Sequence, residues 1–127
     1  MPFNKPSRAF KTARFSKDAK KAKITDDELC LALKQIMLGQ ADDLGGGVFK
    51  KRLNGNRYRS IILAKGGKYW IYEYLFAKKD RDNIESNELL AFRLLASSYV
   101  GLTLLQVGKL LVNGDFVEIC HDDKTEI

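Results

Sequence analysis

Histidine, proline, cysteine and tryptophan are all scarce in this chain: one His, two Pro, two Cys and one Trp. Cys30 and Cys120 stand far apart, and the lone His121 sits in an acidic tail where it is expected to be solvated. That leaves too few ligands at any useful spacing for a zinc site or a disulfide framework, so both thiols are read as reduced and partly buried. No metal and no cofactor is expected. No apolar run approaches the roughly 20 residues of a membrane span. The opening Met1-Pro2-Phe3-Asn4-Lys5 lacks the apolar stretch of a secretion signal. A cytoplasmic protein without membrane contact is expected.

What the chain does have is core-forming material and charge. It has 127 residues, 45% hydrophobic and 10% aromatic, enough for one domain over 1–127 that buries roughly two thirds of its unfolded-chain surface. Residues 1–8 read as a loose lead-in and 120–127 as an acidic tail. The net charge of +6 is unevenly spread. Residues 1–23 carry eight basic residues and one acid, 24–49 one and five, 50–81 ten and two, and 82–127 three and eight. Two basic blocks thus alternate with two acidic ones, and because binding follows local potential, a polyanion is a plausible partner. The N-terminal block is equally readable as a solvated surface.

Hydrophobic spacing and punctuation predict an α+β fold: a small antiparallel sheet, made of a three-stranded meander plus an N-terminal strand, with helices packed on one face. The first strand is read over Ala9 to Phe15, followed by a short basic helix or loop to about Lys23. Thr25-Asp26-Asp27-Glu28 forms a capping box, and Leu29, Leu33, Ile36 and Met37 follow as one apolar stripe that Gly39 stops. Gly45-Gly46-Gly47 precedes a strand and lacks the Lys-Ser/Thr of a phosphate-binding loop, so it reads as a turn. The meander covers Val48 to Leu53, Tyr58 to Lys65 and Lys68 to Ala77. A two-residue turn at Gly66-Gly67 would place Leu63 opposite Trp70, Ile61 opposite Tyr72 and Arg59 opposite Tyr74. Tyr58, Ile62, Ala64, Tyr69, Ile71 and Leu75 would then face the helix. Ser86 to Val100 reads as an amphipathic helix carrying Leu89, Leu90, Phe92, Leu94, Leu95 and Tyr99, closed by Gly101. Thr103-Leu104-Leu105-Gln106 opens a short helix to about Val112, and Phe116 to Ile119 is a candidate edge strand.

The chemistry concentrates between Lys50 and Arg81, where ten cations interleave with Tyr58, Trp70, Tyr72 and Tyr74. Cations neutralise phosphates and aromatic faces stack on unpaired bases, a pattern that suits single-stranded nucleic acid. With a four-residue loop at Asn54 to Arg57, Arg52 pairs with Arg59 and Lys50 shares their face. Like charges set opposite each other destabilise a sheet unless a polyanion compensates. A three-residue loop would instead send Lys50 and Arg52 to the opposite face. Glu85 is read as a helix N-terminal acid, and Glu73, inside a strand, is expected to pair with a lysine.

Three stretches carry a resemblance: Asp43-Leu44-Gly45-Gly46-Gly47-Val48-Phe49-Lys50-Lys51-Arg52, Tyr58-Arg59, and Phe76-Ala77-Lys78-Lys79-Asp80-Arg81-Asp82-Asn83-Ile84. With the element order, they make residues 9 to 119 resemble the RelE/ParE superfamily of toxin–antitoxin toxins, most closely its RelE/HigB-like subgroup. The resemblance implies a RelE-like fold and metal-independent cleavage of ribosome-bound messenger RNA. It also implies a cognate antitoxin, often of helix-turn-helix type. By position it implies catalytic roles for Lys50, Arg52, Arg59 and Lys79, and RNA contacts for Lys51, Arg57, Lys78 and Arg81. Some relatives carry a tyrosine near the position of Glu85, so Lys50, Lys79 or Glu85 would have to accept the proton here. Two alternatives differ in class: a toxin that poisons DNA gyrase without chemistry, which could dispense with the basic quartet, and a plain single-strand binder, which needs Trp70, Tyr72 and Tyr74 exposed.

Overall fold

The structure, a computed structural model, describes residues 8–64 and 69–120. The Gly66-Gly67 turn, His121 and most of the lead-in and tail lie outside the described residues. Ten elements follow one another: β1 (Arg8–Thr12), α1 (Ala13–Lys21), α2 (Asp26–Met37), β2 (Asp42–Gly45), β3 (Val48–Leu53), β4 (Tyr58–Leu63), β5 (Tyr69–Ala77), α3 (Ser86–Val100), α4 (Leu104–Val112) and β6 (Phe116–Ile119). The six strands form one sheet in the order β2-β3-β4-β5-β1-β6. β1 runs parallel to β5 and every other neighbouring pair is antiparallel.

The architecture is α+β, as the patterning predicts, with three corrections. The sheet is mixed, because β1 inserts between β5 and β6 instead of extending the meander. Helices cover both faces. On one, α1 and α2 bury Phe15, Ala19, Leu29, Leu33 and Ile36 against Leu53, Ile62, Tyr72 and Leu75. On the other, α3 packs Leu89, Phe92, Leu95 and Ala96 over Val48, Ile61, Leu63 and Phe76, and α4 packs Val107 beside Phe10, Ile71 and Phe116. Leu90 and Leu94, predicted as part of the buried stripe, point outward, with Leu94 66% exposed. Among the described residues, no single helix is long and apolar enough to cross a membrane.

The first hairpin has the four-residue loop, with Arg52 opposite Arg59 and Val48 opposite Leu63. The second departs from the two-residue-turn register. Leu63 pairs with Ile71, Ile61 with Tyr74 and Arg59 with Phe76. The pairing is already one residue off at Leu63 and Ile62, and a bulge adds a second: Ile61 and Ile62 pair with Tyr74 and Tyr72, so Glu73 is the extra residue on β5. Beyond it, side chains switch faces. Tyr72 therefore joins the α1/α2 core, donating from its hydroxyl to the Leu29 carbonyl at 2.6 Å, while Ile71 goes to the α4 side.

Local chemistry sets the element boundaries. The predicted first strand stops early because Thr12 caps α1, accepting from the Phe15 amide. Thr25 and Thr103 cap α2 and α4 in the same way. At Thr25 the reciprocal half of the capping box is missing, since Glu28 accepts from the Asn54 amide instead. α1, α2 and α4 also end alike, with an amide bonded five residues back in a six-residue loop: Ile24 to Ala19, Gln40 to Gln35 and Asp115 to Leu110. The residue in the left-handed position is Gly39 after α2 and Gly114 after α4, but Lys23, at φ 59°, after α1.

The reading of two reduced thiols is overturned: Cys30 of α2 and Cys120, just past β6, form a disulfide with Cα atoms 5.4 Å apart. The pair is 90 residues apart in sequence, and only the placement of β6 beside β1 brings the two together.

Candidate functional site

β3 and β4 are joined at the end of the sheet where β5 stops, so the Asn54–Arg57 loop, Ala77 and the residues after it meet there. This convergence gathers the basic residues. Strand alternation puts Lys50, Arg52 and Arg59 on the α3 face and Lys51 on the α2 face. Their circumstances differ. β2, which the sequence patterning did not reveal, sets Asp42 opposite Lys50 and pairs the two at 3.7 Å. Arg59 is only 6% exposed, and its Nη1 donates to the carbonyls of Asn56 at 3.0 Å and Tyr58 at 3.3 Å, so it holds the loop. Arg52 is exposed, directly opposite Arg59. Lys51 donates to the Gln40 carbonyl at 2.9 Å and belongs to the α2 side.

Arg81 is engaged from several sides. Its guanidinium chelates Glu88 of α3, donates to the Asn83 carbonyl and the Tyr74 hydroxyl, and lies 5.5 Å from the Phe76 ring centre. The ion pair raises the Arg81 pKa and, with the Glu85 amide, holds the Glu88 carboxyl below its usual range. Arg81 thus anchors the crossing from β5 into α3. Glu85 is the residue that caps α3, exchanging hydrogen bonds with Glu88 as the helix-acid reading predicts. Glu73 does not pair with a lysine. Tyr99 of α3 donates to it at 2.9 Å, and burial pushes its carboxyl pKa up against the opposing pull of Tyr99 and Arg14.

Arg57, Lys78 and Lys79 come together in a cleft of about 690 Å³. Its other walls include Lys21 and Lys23 from the α1–α2 junction, Asn54, Gly55 and Asn56 from the loop, and Tyr58. Among the described residues, no acidic side chain lines it. An adjoining cleft of about 400 Å³ shares Lys21, Tyr58, Ala77 and Lys79 and adds Arg14, Arg81, Asp18 and Asp80. The sequence signal that could have found Lys21 and Lys23 is the N-terminal basic block, which charge counting alone could not separate from a solvated face.

The aromatic stacking platform is absent. Tyr72 is fully buried, Trp70 packs on Phe49, and Tyr74 lies between Phe76 and Phe92 with Arg14 over its ring. What remains is a cationic end: a cleft edged by five exposed lysines and arginines, with Arg52 and the shielded Arg59 on the adjacent α3 face. Such a surface can bind and polarise phosphates. Among the described residues, no group of His, Cys, Asp and Glu is arranged to hold a metal ion.

A protein-family model described as the RelE toxin of the RelE / RelB toxin-antitoxin system matches residues 7–119. No curated protein matches the chain.

Proposed function

The chain belongs to the RelE toxin family, and from that membership we propose that this toxin is a metal-independent endonuclease acting on messenger RNA in the ribosome, in the cytoplasm. The family implies an antitoxin partner; we take it to be of helix-turn-helix type. The observation that carries the nuclease reading is the exposed Arg52 set directly opposite Arg59, on the same face as Lys50. The exposed guanidinium of Arg52 sits beside the shielded charge of Arg59, and a polyanion bound at Arg52 offsets the repulsion between the two.

The reaction needs no bound ion. The 2′-hydroxyl attacks the adjacent phosphorus and an O–P bond forms as the bond to the 5′-oxygen breaks; the 2′-hydroxyl proton passes to one of Lys50, Lys79 or Glu85, and the departing 5′-oxygen takes up a proton from solvent. Negative charge develops on the non-bridging oxygens. Arg52 and Lys79 stabilise that charge directly, Lys50 assists from beside Arg52, and Arg59 adds its field from below while keeping the loop in place. Arg57 and Lys78 hold the flanking backbone. Lys51 and Arg81, proposed as further RNA contacts, also serve the fold through Gln40 and Glu88.

The test is induced expression of wild type, Arg52→Ala and Lys79→Ala, with primer-extension mapping of messages over minutes. Both positions are exposed, so folding is preserved. Wild type should arrest translation with cuts in translated frames, and each substitution should reduce cutting by about 10² or more, the scale for one lost charge-stabilising donor. Arrest without cuts would move the protein to the gyrase-poison class.

A further inference from the structure

We propose that the α1–α2 junction is part of the RNA site: Lys21 and Lys23 form the far wall of the cationic cleft and grip the phosphodiester backbone outside the reacting dinucleotide. This rests on the nuclease reading of the same end of the molecule and extends it to a segment to which the family resemblance gave no role.

The first support is composition. The cleft takes Lys21 and Lys23 from one side and Arg57, Lys78 and Lys79 from the other, all exposed and without an acidic residue in the lining. Elsewhere the chain does pair its cations: Arg8 with Glu118, Lys11 with Asp26, Lys50 with Asp42 and Arg81 with Glu88. The five cations repel one another where they converge, the nearest carboxylates, Asp18 and Asp80, lying in the adjoining cleft, and a bound polyanion relieves that repulsion.

The second support is independent of charge. Three helices end with the same six-residue return bond, and two of them have glycine in the left-handed position, Gly39 and Gly114. Only glycine takes that conformation without steric penalty. After α1 the position holds Lys23 at φ 59°, and Lys23 is the one of the three that lines the cleft. The fold alone would favour glycine there. A β-carbon placed against local preference, carrying a cation into a cationic cleft, fits a residue that serves binding at the expense of stability.

That gives a substitution in which stability and binding move in opposite directions. Lys23→Gly should raise or preserve the denaturation midpoint of the full chain. Its affinity for a fluorescein-labelled 2′-O-methyl oligo(A), which cannot be cut by 2′-attack, should fall several-fold. The slope of log affinity against log salt should drop by about one for each cation removed, so by about two in Lys21→Ala/Lys23→Gly. Lys109→Ala, on exposed α4, is the control. A parallel titration with a 2′-O-methyl hairpin duplex separates sources: preference for the single strand assigns the cleft to message, preference for the duplex to structured ribosomal RNA. Unchanged affinity and slope in both lysine variants, or tighter binding of oligo-glutamate than of either RNA, overturns the proposal. Cutting of cellular messages by wild type is scored separately. If wild type cuts while the lysine variants bind and cut normally, the cleft assignment alone fails. If wild type never cuts but the slopes drop, the cleft stands and the nuclease reading fails.

Discussion

Glu73 is a carboxyl whose ionisation the fold resists. It sits at the β5 bulge under α3, and burial raises its pKa despite the Tyr99 hydroxyl and the nearby Arg14. A carboxyl raised in the folded state binds its proton more tightly there than in the unfolded chain. Stability therefore falls as pH rises from the ordinary carboxylate range through the raised value, and stays lower above it. Glu73→Gln keeps an oxygen for Tyr99 and removes the charge. Its urea midpoint at neutral pH should exceed that of wild type, with the decline across that window flattened; an unaltered pH profile would show that the carboxyl is well solvated. Glu88 has the opposite sign. Arg81 depresses its pKa, so its contribution is present above the usual carboxylate range and is lost as pH falls through the lowered value. At this scale sequence reading went part of the way. The facing of Arg52 and Arg59 was one of the two registers that counting loop residues left open, whereas the commitment of Arg59 to loop carbonyls and of Arg81 to Glu88 depends on where side chains end.

The β2–β3 hairpin shows how much one element rests on its turn. Gly46 and Gly47 occupy the turn at φ 65° and 86°, and a β-carbon at Gly46 would come within 2.6 Å of Arg93 Cγ. Arg93 in turn donates from Nη2 to the Leu44 carbonyl and from Nε to that of Gly45, tying α3 to the hairpin. Gly46→Ala should lower stability by more than the ~1–2 kcal/mol of a left-handed backbone alone. Gly55→Ala, at φ 61° in open space, should lose about that amount. Chemical denaturation of the two variants measures the difference, and equal losses would mean that Arg93 swings aside freely. The helices and the meander were legible because caps, glycines and apolar spacing are local signals. β2 was not: Asp42-Asp43-Leu44-Gly45 has little strand propensity and pairs because the glycine turn folds it back. The bulge at Glu73 was equally hidden, since it follows from the two faces claiming Tyr72 and Ile71 separately.

Across the whole molecule, the Cys30–Cys120 bond links α2 to the end of the last strand over 90 residues of chain. Loop-closure arguments assign about 2–5 kcal/mol to such a link. Cys30→Ser should therefore lower the thermal midpoint, while RNA affinity at the opposite end of the sheet, beyond Ala77, stays as in wild type. Loss of RNA binding with the fold intact would show the two ends to be coupled. Neither this bond nor the strand order was legible from the sequence, because both depend on partners that lie far apart along the chain.

The strand order also bears on when the protein becomes dangerous. β1 is made first, yet its neighbours are residues 69–72 on one side and 116–119 on the other. Until the last of these has left the exit tunnel, β1 has no second partner, β6 does not exist, and α4 lacks the strand it packs on. The order of synthesis is thus a built-in delay. A ribosome making this chain must therefore carry it well past residue 119 before the sheet can close, so the cationic end is presented on a finished sheet only after that point.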